Sequence, residues 1–107
     1  MPRYCLALDL KNDPKLIAEY EAFHRAVWPD ILESLMASGI LEVEIYRVEN
    51  RLFMILEAGE NFSFEQKAAA DAANERVQAW EDLMWRYQQA LPNTPEGGKW
   101  RLMNRIF

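Results

Sequence analysis

The stretch RYCLALDLKNDPKLIAEY, residues 3–20, contains the first change of secondary structure in the chain. Tyrosine and leucine side chains occupy every second position of residues 3–10, which is the period of a β-strand. Asp13 can then cap a helix, and Pro14 at the first helical position loses no hydrogen bond because that N–H would be unpaired anyway. The stretch therefore predicts a strand followed by a helix.

A proline divides this predicted helix. Pro29 removes one intrahelical hydrogen bond and clashes with the preceding turn, so we expect a kink or a break near Val27 and Trp28. Gly39 follows the last helical positions and predicts the end of the helix.

The pattern of a β-hairpin comes next. Residues 41–48 alternate between apolar and polar side chains, residues 51–58 are more continuously apolar, and a short turn at Glu49 and Asn50 separates them. The apolar second strand is typical of the interior of a sheet.

The rest of the chain predicts helical structure and then a strand. An alanine-rich segment favours a helix in two pieces, which continues until Pro92 stops it. Residues 99–107 alternate again and predict the last strand.

The element order is β-α-β-β-α-β, which indicates a single α+β domain over residues 1–107. This is the ferredoxin-like arrangement, a four-stranded antiparallel sheet with two helices on one face. The other face of the sheet carries aromatic and aliphatic side chains that no predicted element of the monomer buries. We therefore expect two sheets packed face to face in a homodimer, as in a dimeric α/β barrel.

Charge and cysteine content exclude several classes of function. With 17 acidic and 12 basic residues the net charge is -5, which disfavours a nucleic-acid partner. Cys5 is the single cysteine, so an internal disulfide is excluded, a transition-metal site is not expected, and a cytoplasmic location is favoured. No segment approaches the roughly 20 apolar residues of a membrane span, so no membrane association is expected.

The candidate catalytic residues lie on the first helix. Tyr20, His24 and Trp28 are spaced four residues apart, which places them on one helix face. Tyrosine and tryptophan at this spacing are typical of a core, and a lone histidine on an apolar stripe is more often an interior residue. His24 is nevertheless the first candidate for proton transfer near neutral pH, with Tyr20 as the nearby hydroxyl.

A tryptophan outside the apolar stripe of the second helical segment suggests a second contact. Trp85 projects away from the stripe, so it is either a dimer contact or a ligand platform. Tryptophan rings stack well on the apolar faces of sugars. Together with Trp28 and Tyr46, Trp85 is predicted to line a substrate site.

The chain resembles the L-rhamnose mutarotase family over nearly its whole length in element order, and the specific part of the resemblance is the first half. The resemblance rests on Tyr20-x3-His24-x3-Trp28-Pro29, on Gly39 and on the EIY segment that ends at Tyr46. It implies a dimeric ferredoxin-like barrel that needs no cofactor and acts on a free monosaccharide. It also implies that His24 is the acid/base group, acting as general acid on the ring oxygen, and that Tyr20 orients the sugar or takes the complementary proton.

The chain departs from that family's pattern on the second helical segment. The rhamnose enzymes are similar in having adjacent tryptophans there, whereas this chain has Leu83-Met84 near that position and tryptophans at Trp80 and Trp85. The difference falls where a sugar would stack. L-Fucose and L-rhamnose, both 6-deoxy-L-hexoses, therefore remain equal candidate substrates.

Two other classes of function are compatible with the same residues. A heme- or quinol-binding monooxygenase-like protein of the same barrel architecture would also use one histidine and several tryptophans, and a heme binder would show a Soret band. A non-catalytic dimerisation or ligand-sensing module would keep His24 as a packed residue. In that case His24→Ala would lower stability without any loss of activity.

Overall fold

The computed structural model describes residues 2–107 and contains one antiparallel sheet. The elements are β1 (Arg3–Leu10), α1 (Pro14–His24), α2 (Pro29–Ala37), β2 (Ile40–Val48), β3 (Arg51–Ala58), α3 (Phe64–Ala72), α4 (Glu75–Trp85), β4 (Gln88–Gln89) and β5 (Arg101–Leu102). The strand order is β2-β3-β1-β4, and β5 also pairs with β1. The predicted α+β, ferredoxin-like class is confirmed.

The start and the break of the first helical segment follow the sequence signals. The Asp13 carboxylate accepts hydrogen bonds from the backbone N–H groups of Lys15 at 2.9 Å and Leu16 at 3.3 Å. α1 then ends at His24, and α2 begins at Pro29. The predicted break is confirmed, because a proline ring is accommodated only in the first turn of a helix.

Gly39 ends α2. Its φ is +88°, in the left-handed region that glycine adopts without a steric penalty, and its N–H donates to the Met36 carbonyl at 3.0 Å. β2 starts directly afterwards, so this glycine sets how the helix returns to the sheet.

Each of the two predicted helical segments is divided into two helices. In the second segment, the Ser63 side chain caps α3 and the Asn74 side chain caps α4. The prediction that helical structure continues to Pro92 is wrong, since α4 ends at Trp85. Gln88 instead lies opposite Leu10 in a short strand, where pairing with the β1 edge satisfies backbone groups that would otherwise be buried without partners.

The predicted last strand over residues 99–107 is also too long. Only Arg101–Leu102 pairs with β1, opposite Ala7 and Leu6. β4 already occupies the Asp9–Leu10 end of that edge, so the fourth position of the sheet is shared by two short strands. Residues 2–107 therefore contain five strands instead of the expected four.

The core lies between the sheet and the helices. Leu8, Leu10, Leu52 and Met84 are its largest fully buried side chains. Leu8 of β1 is the cross-strand partner of Leu52 of β3, so the two leucines share the face that the helices cover. Among residues 2–107, no helix is both long and apolar enough to cross a membrane.

Candidate active site

A cavity of about 400 Å³ lies between the helix-covered face of the sheet and the helices. This volume is within the roughly 300–1,000 Å³ typical of small-molecule pockets. Its apolar walls include Val27, Ile31, Leu35, Met54, Leu56 and Val77. Polar groups of Tyr20, His24, Glu81 and Gln88 also line it. An apolar pocket with a few convergent polar groups is the usual form of a small-molecule site.

The four-residue spacing on α1 brings Tyr20 and His24 to the cavity together. Their ring centroids are 4.3 Å apart. Tyr20 is buried, with 3% of its surface exposed, whereas His24 is only partly buried. The two predicted catalytic side chains therefore form one contiguous polar group in the cavity wall.

The hydrogen bond of His24 defines which ring nitrogen is free. Its Nδ1 lies 2.9 Å from the backbone carbonyl oxygen of Tyr20. A carbonyl only accepts, so Nδ1 carries the hydrogen, and in the neutral imidazole the lone pair is on Nε2. Burial lowers the pKa of His24 below its usual 6.5, while the hydrogen bond to the Tyr20 carbonyl raises it less. At neutral pH His24 is thus an uncharged base.

The hydroxyl of Tyr20 is held by a side chain of β4. The Gln88 amide Nε2 donates to Tyr20 Oη at 3.2 Å. Burial raises the pKa of Tyr20 to about 12; the Gln88 hydrogen bond lowers it, and the negative charge of Glu81 raises it. The Tyr20 hydroxyl therefore stays protonated at neutral pH and can donate its hydrogen.

His24 also borders a second, shallower depression of about 240 Å³, whose wall includes Glu21, Arg25 and Arg47. Arg47 Nε contacts Glu21 Oε2 at 3.1 Å. The partly exposed imidazole therefore lies between the main cavity and a charged surface groove, from which protons can exchange with solvent.

Two tryptophans pack one behind the other next to His24. Trp80 lines the cavity and meets the His24 ring edge-on, with centroids 5.7 Å apart. Trp28 packs on the ring of Trp80 at 5.1 Å and has the Arg76 guanidinium 4.3 Å from its ring centroid. Trp80 is therefore the tryptophan in the cavity wall, and Trp28 supports it.

The chain does not bring Tyr46 or Trp85 to this cavity. Tyr46 is 53% exposed, and its hydroxyl donates to Glu44 Oε2 at 2.6 Å. Neighbouring strand residues point to opposite faces, so Tyr46 points away from the cavity that Ile45 lines. Trp85 is 37% exposed and carries the Lys99 ammonium 4.8 Å from its ring centroid. A substrate contact by either residue stays a prediction.

Sequence reasoning missed four charged residues of the cavity, Lys67, Asp71, Glu81 and Lys99. Glu81 follows Val77 by four residues and precedes Met84 by three, so helical spacing places it on the apolar face of α4. This position on the apolar face was the signal in the sequence that could have identified Glu81 as a cavity residue. Lys99 gave no such signal, because a lysine at the start of the predicted last strand is typical of an exposed position.

The cavity contains no cluster that would ligate a metal. Across residues 2–107, no group of three or more His, Cys, Asp or Glu side chains is placed to hold an ion.

Comparisons with known proteins give one family. A sequence profile of the L-rhamnose mutarotase family matches residues 3–107. An L-fucose mutarotase of Xanthomonas campestris pv. campestris is 50% identical over 109 residues, which cover 100% of this chain and 87% of that protein.

Solved structures show the same fold. An L-rhamnose mutarotase from Formosa agariphila superposes with a TM-score of 0.73 at 24% identity, covering 100% of this chain and 97% of that one. Tetracenomycin F2 cyclase from Streptomyces glaucescens has a TM-score of 0.66 at 14% identity, with 100% and 97% covered. Proteins with such different names share this architecture, so the fold by itself does not define the reaction.

Proposed function

The chain belongs to the L-rhamnose mutarotase family, and from this membership we propose how it interconverts the α and β anomers of a 6-deoxy-L-hexose. The enzyme is an isomerase. The reaction opens the pyranose ring to the aldehyde and closes it on the other face. Only protons are transferred, so positioned acid and base groups suffice.

We assign the first proton transfer to His24. Its unprotonated Nε2 takes the proton of the O1 hydroxyl, the C1=O bond forms, and the bond between C1 and the ring oxygen breaks. The hydroxyl of Tyr20 gives its proton to the ring oxygen as that bond breaks. The base role differs from the acid role that the sequence resemblance implied, because the lowered pKa of His24 favours the neutral imidazole at neutral pH and its one N–H is bonded to the Tyr20 carbonyl.

Ring closure reverses both transfers. The aldehyde rotates about C1–C2, the ring oxygen attacks the other face of C1, and its proton returns to Tyr20. The imidazolium of His24 returns its proton to O1. Between the two steps, imidazolium and phenolate lie in adjacent rings with centroids 4.3 Å apart, so their opposite charges stabilise each other.

One observation supports this mechanism more than any other. The only imidazole of the chain has a free lone pair next to a protonated phenol, and both line one cavity of about 400 Å³. A packed structural histidine would not need such a cavity.

We propose L-fucose as the preferred sugar and L-rhamnose as the second. The 50% identity over the whole chain to a protein named for L-fucose supports this order. Exchange NMR of the anomeric protons of L-fucose, L-rhamnose and D-glucose tests the proposal. Acceleration of the two 6-deoxy-L-hexoses is expected, and no acceleration of either would contradict it.

A homodimer is proposed from the outer face of the sheet. Cross-strand register places Tyr46, Phe53 and Ala7 in one row and Ile55 and Cys5 in the next, and all five side chains are at least partly exposed. An apolar surface of this kind is typical of an interface.

Charged pairs border these apolar rows on both sides. Arg51 contacts Asp9 at 2.7 Å, and Arg3 contacts Glu57 at 3.1 Å. An apolar centre with a polar rim is the common arrangement of protein interfaces. Sedimentation of the purified chain should give twice the mass of one chain, and a single-chain mass would contradict the proposal.

The heme- or quinol-binding alternative is not favoured by the family comparison. A cytoplasmic location is proposed from the single free cysteine, Cys5, which is typical of a reducing compartment. Cell fractionation tests it, and recovery of the protein outside the cytoplasm would contradict it.

A further inference from the structure

The cavity contains an ion pair that the proposed proton transfers do not use. Lys99 Nζ contacts Glu81 Oε2 at 2.5 Å, and both residues line the cavity with His24 and Tyr20. Lys99 has only 13% of its side chain exposed and Glu81 has 38%. The pair is therefore a partly buried part of the cavity wall, with Lys99 the more buried of the two partners.

Lys99 is held from three directions. Besides the carboxylate, its ammonium lies 3.4 Å from the Glu81 carbonyl oxygen and 4.8 Å from the ring centroid of Trp85. These contacts fix a flexible side chain in one place, and they give the exposed Trp85 a role outside the cavity. A fixed ammonium in turn fixes the orientation of the Glu81 carboxylate.

Stability is a weak reason for such a pair. Taking two charges out of water costs about as much as their attraction returns, and apolar residues of similar size are often as good or better. The position of Glu81 on α4 is otherwise apolar, between Val77 and Met84. A charge is thus retained where an aliphatic side chain would pack.

The pair still has hydrogen-bonding capacity for a ligand. Within the described chain, Glu81 accepts through Oε2, whereas its Oε1 accepts no hydrogen bond. An ammonium has three N–H donors and Glu81 accepts from two of them, so one donor of Lys99 remains for a ligand. One free acceptor beside one charged donor matches two adjacent hydroxyls of a sugar ring.

The pair also lines the same cavity as the reacting groups. The charge of Glu81 acts on the hydroxyl of Tyr20, whose pKa it raises. A sugar with its anomeric centre at His24 and Tyr20 therefore presents its remaining hydroxyls to this part of the wall. A second charged pair in the cavity, Lys67 with Asp71, joins neighbouring turns of one helix, where such pairs are common for local reasons.

We infer that the Glu81 carboxylate accepts a hydrogen bond from a ring hydroxyl of the sugar while Lys99 donates to the neighbouring oxygen. This contact holds the pyranose against His24 and recognises hydroxyl configuration. L-Fucose and L-rhamnose differ in configuration at C2 and C4. A carboxylate fixed in one position should therefore bind the two sugars with different affinities. The inference rests on the proposed function, because it requires a sugar in the cavity.

Calorimetric titration with L-fucose and L-rhamnose tests this contact in the full chain. Glu81→Gln removes the charge at nearly constant shape, and the dissociation constant of at least one sugar should rise about tenfold or more, the size of one charge-assisted hydrogen bond. Lys99→Met should act in the same direction and provides a second variant if Glu81→Gln does not fold. A merely structural pair would lower the unfolding temperature and leave the affinity of the folded protein unchanged.

Asp30→Asn is the matched control, because Asp30 forms an ion pair of 2.9 Å with Arg76 outside both the cavity and the outer sheet face. It should leave both affinities unchanged. If folded Glu81→Gln and Lys99→Met bind both sugars as tightly as the wild type, the inference is overturned. The wild type would still accelerate anomeric exchange in that case, whereas its failure to accelerate either sugar would overturn the proposed function itself.

Discussion

The Nδ1 atom of His24 lies 2.9 Å from the carbonyl oxygen of Tyr20, one helical turn earlier. This single contact fixes the tautomer of the imidazole and leaves Nε2 free. It also ties the two candidate catalytic residues to the same turn of α1, so a shift of one moves the other. The pH behaviour of the enzyme should follow from this contact.

The rate of mutarotation should fall on the acid side with the titration of His24. Because burial lowers the pKa of His24, the unprotonated base should persist to a pH below 6.5. The chain has one histidine, so proton NMR gives a single set of imidazole signals whose midpoint can be compared with that of the rate. A midpoint of the imidazole signals above pH 6.5 would contradict the assignment of His24 as the base. So would a rate whose pH dependence does not follow that midpoint.

Tyr20→Phe should reduce the rate and leave the fold intact. The phenylalanine ring keeps the packing of Tyr20 but removes the hydroxyl that donates to the ring oxygen. A positioned proton donor contributes about 10²-fold or more, so a loss of that order in kcat is expected. Tyr4→Phe is the control, because Tyr4 packs on Phe62 and Phe64 and does not line the cavity. An unchanged kcat in Tyr20→Phe would exclude Tyr20 as the donor.

The same substitution should change stability at alkaline pH. The pKa of Tyr20 is raised to about 12 in the folded chain, whereas an unfolded tyrosine ionises near 10. The unfolded state therefore releases this proton first, and stability is lost as pH rises from about 10 towards 12. By linkage, the loss is about 2–3 kcal/mol for a shift of this size. Denaturant unfolding should show a smaller alkaline loss in Tyr20→Phe, and equal losses would contradict the shift.

Phe53→Asp should dissociate the proposed dimer. Phe53 occupies the centre of the outer sheet face, where a carboxylate would be desolvated without a partner. Met36→Asp is the control, since Met36 is 76% exposed on α2, on the helix side of the sheet. Light scattering after size exclusion should give half the wild-type mass for Phe53→Asp alone. A wild-type mass in both variants would place any interface elsewhere.

Local signals in the sequence were sufficient for most of the fold. Asp13, Pro14, Pro29 and Gly39 each act through their own backbone geometry or the nearest N–H groups, so the start, the break and the end of the first helices were readable. The short strand at Gln88–Gln89 was not, because its pairing with β1 is set by the open edge of the sheet. The helical spacing of that segment continues, but tertiary pairing overrides it.

The candidate site was only partly readable. The spacing of Tyr20 and His24 places them on one face from the sequence alone. The alternation of β2 separates Ile45 from Tyr46, but it does not say which face borders the cavity. The helical position of Glu81 is on the apolar face of α4, but most acidic residues are exposed, so its charge alone does not indicate a place in the cavity.

The central claim is that the unprotonated imidazole of His24 moves the anomeric proton. Two-dimensional exchange NMR of L-fucose with the wild type, His24→Gln and the exposed helix control Lys15→Gln tests it most directly. We predict that His24→Gln keeps its circular dichroism spectrum and loses the acceleration by about 10²- to 10⁴-fold, while Lys15→Gln retains it. A folded His24→Gln that interconverts the anomers as fast as the wild type would contradict the account.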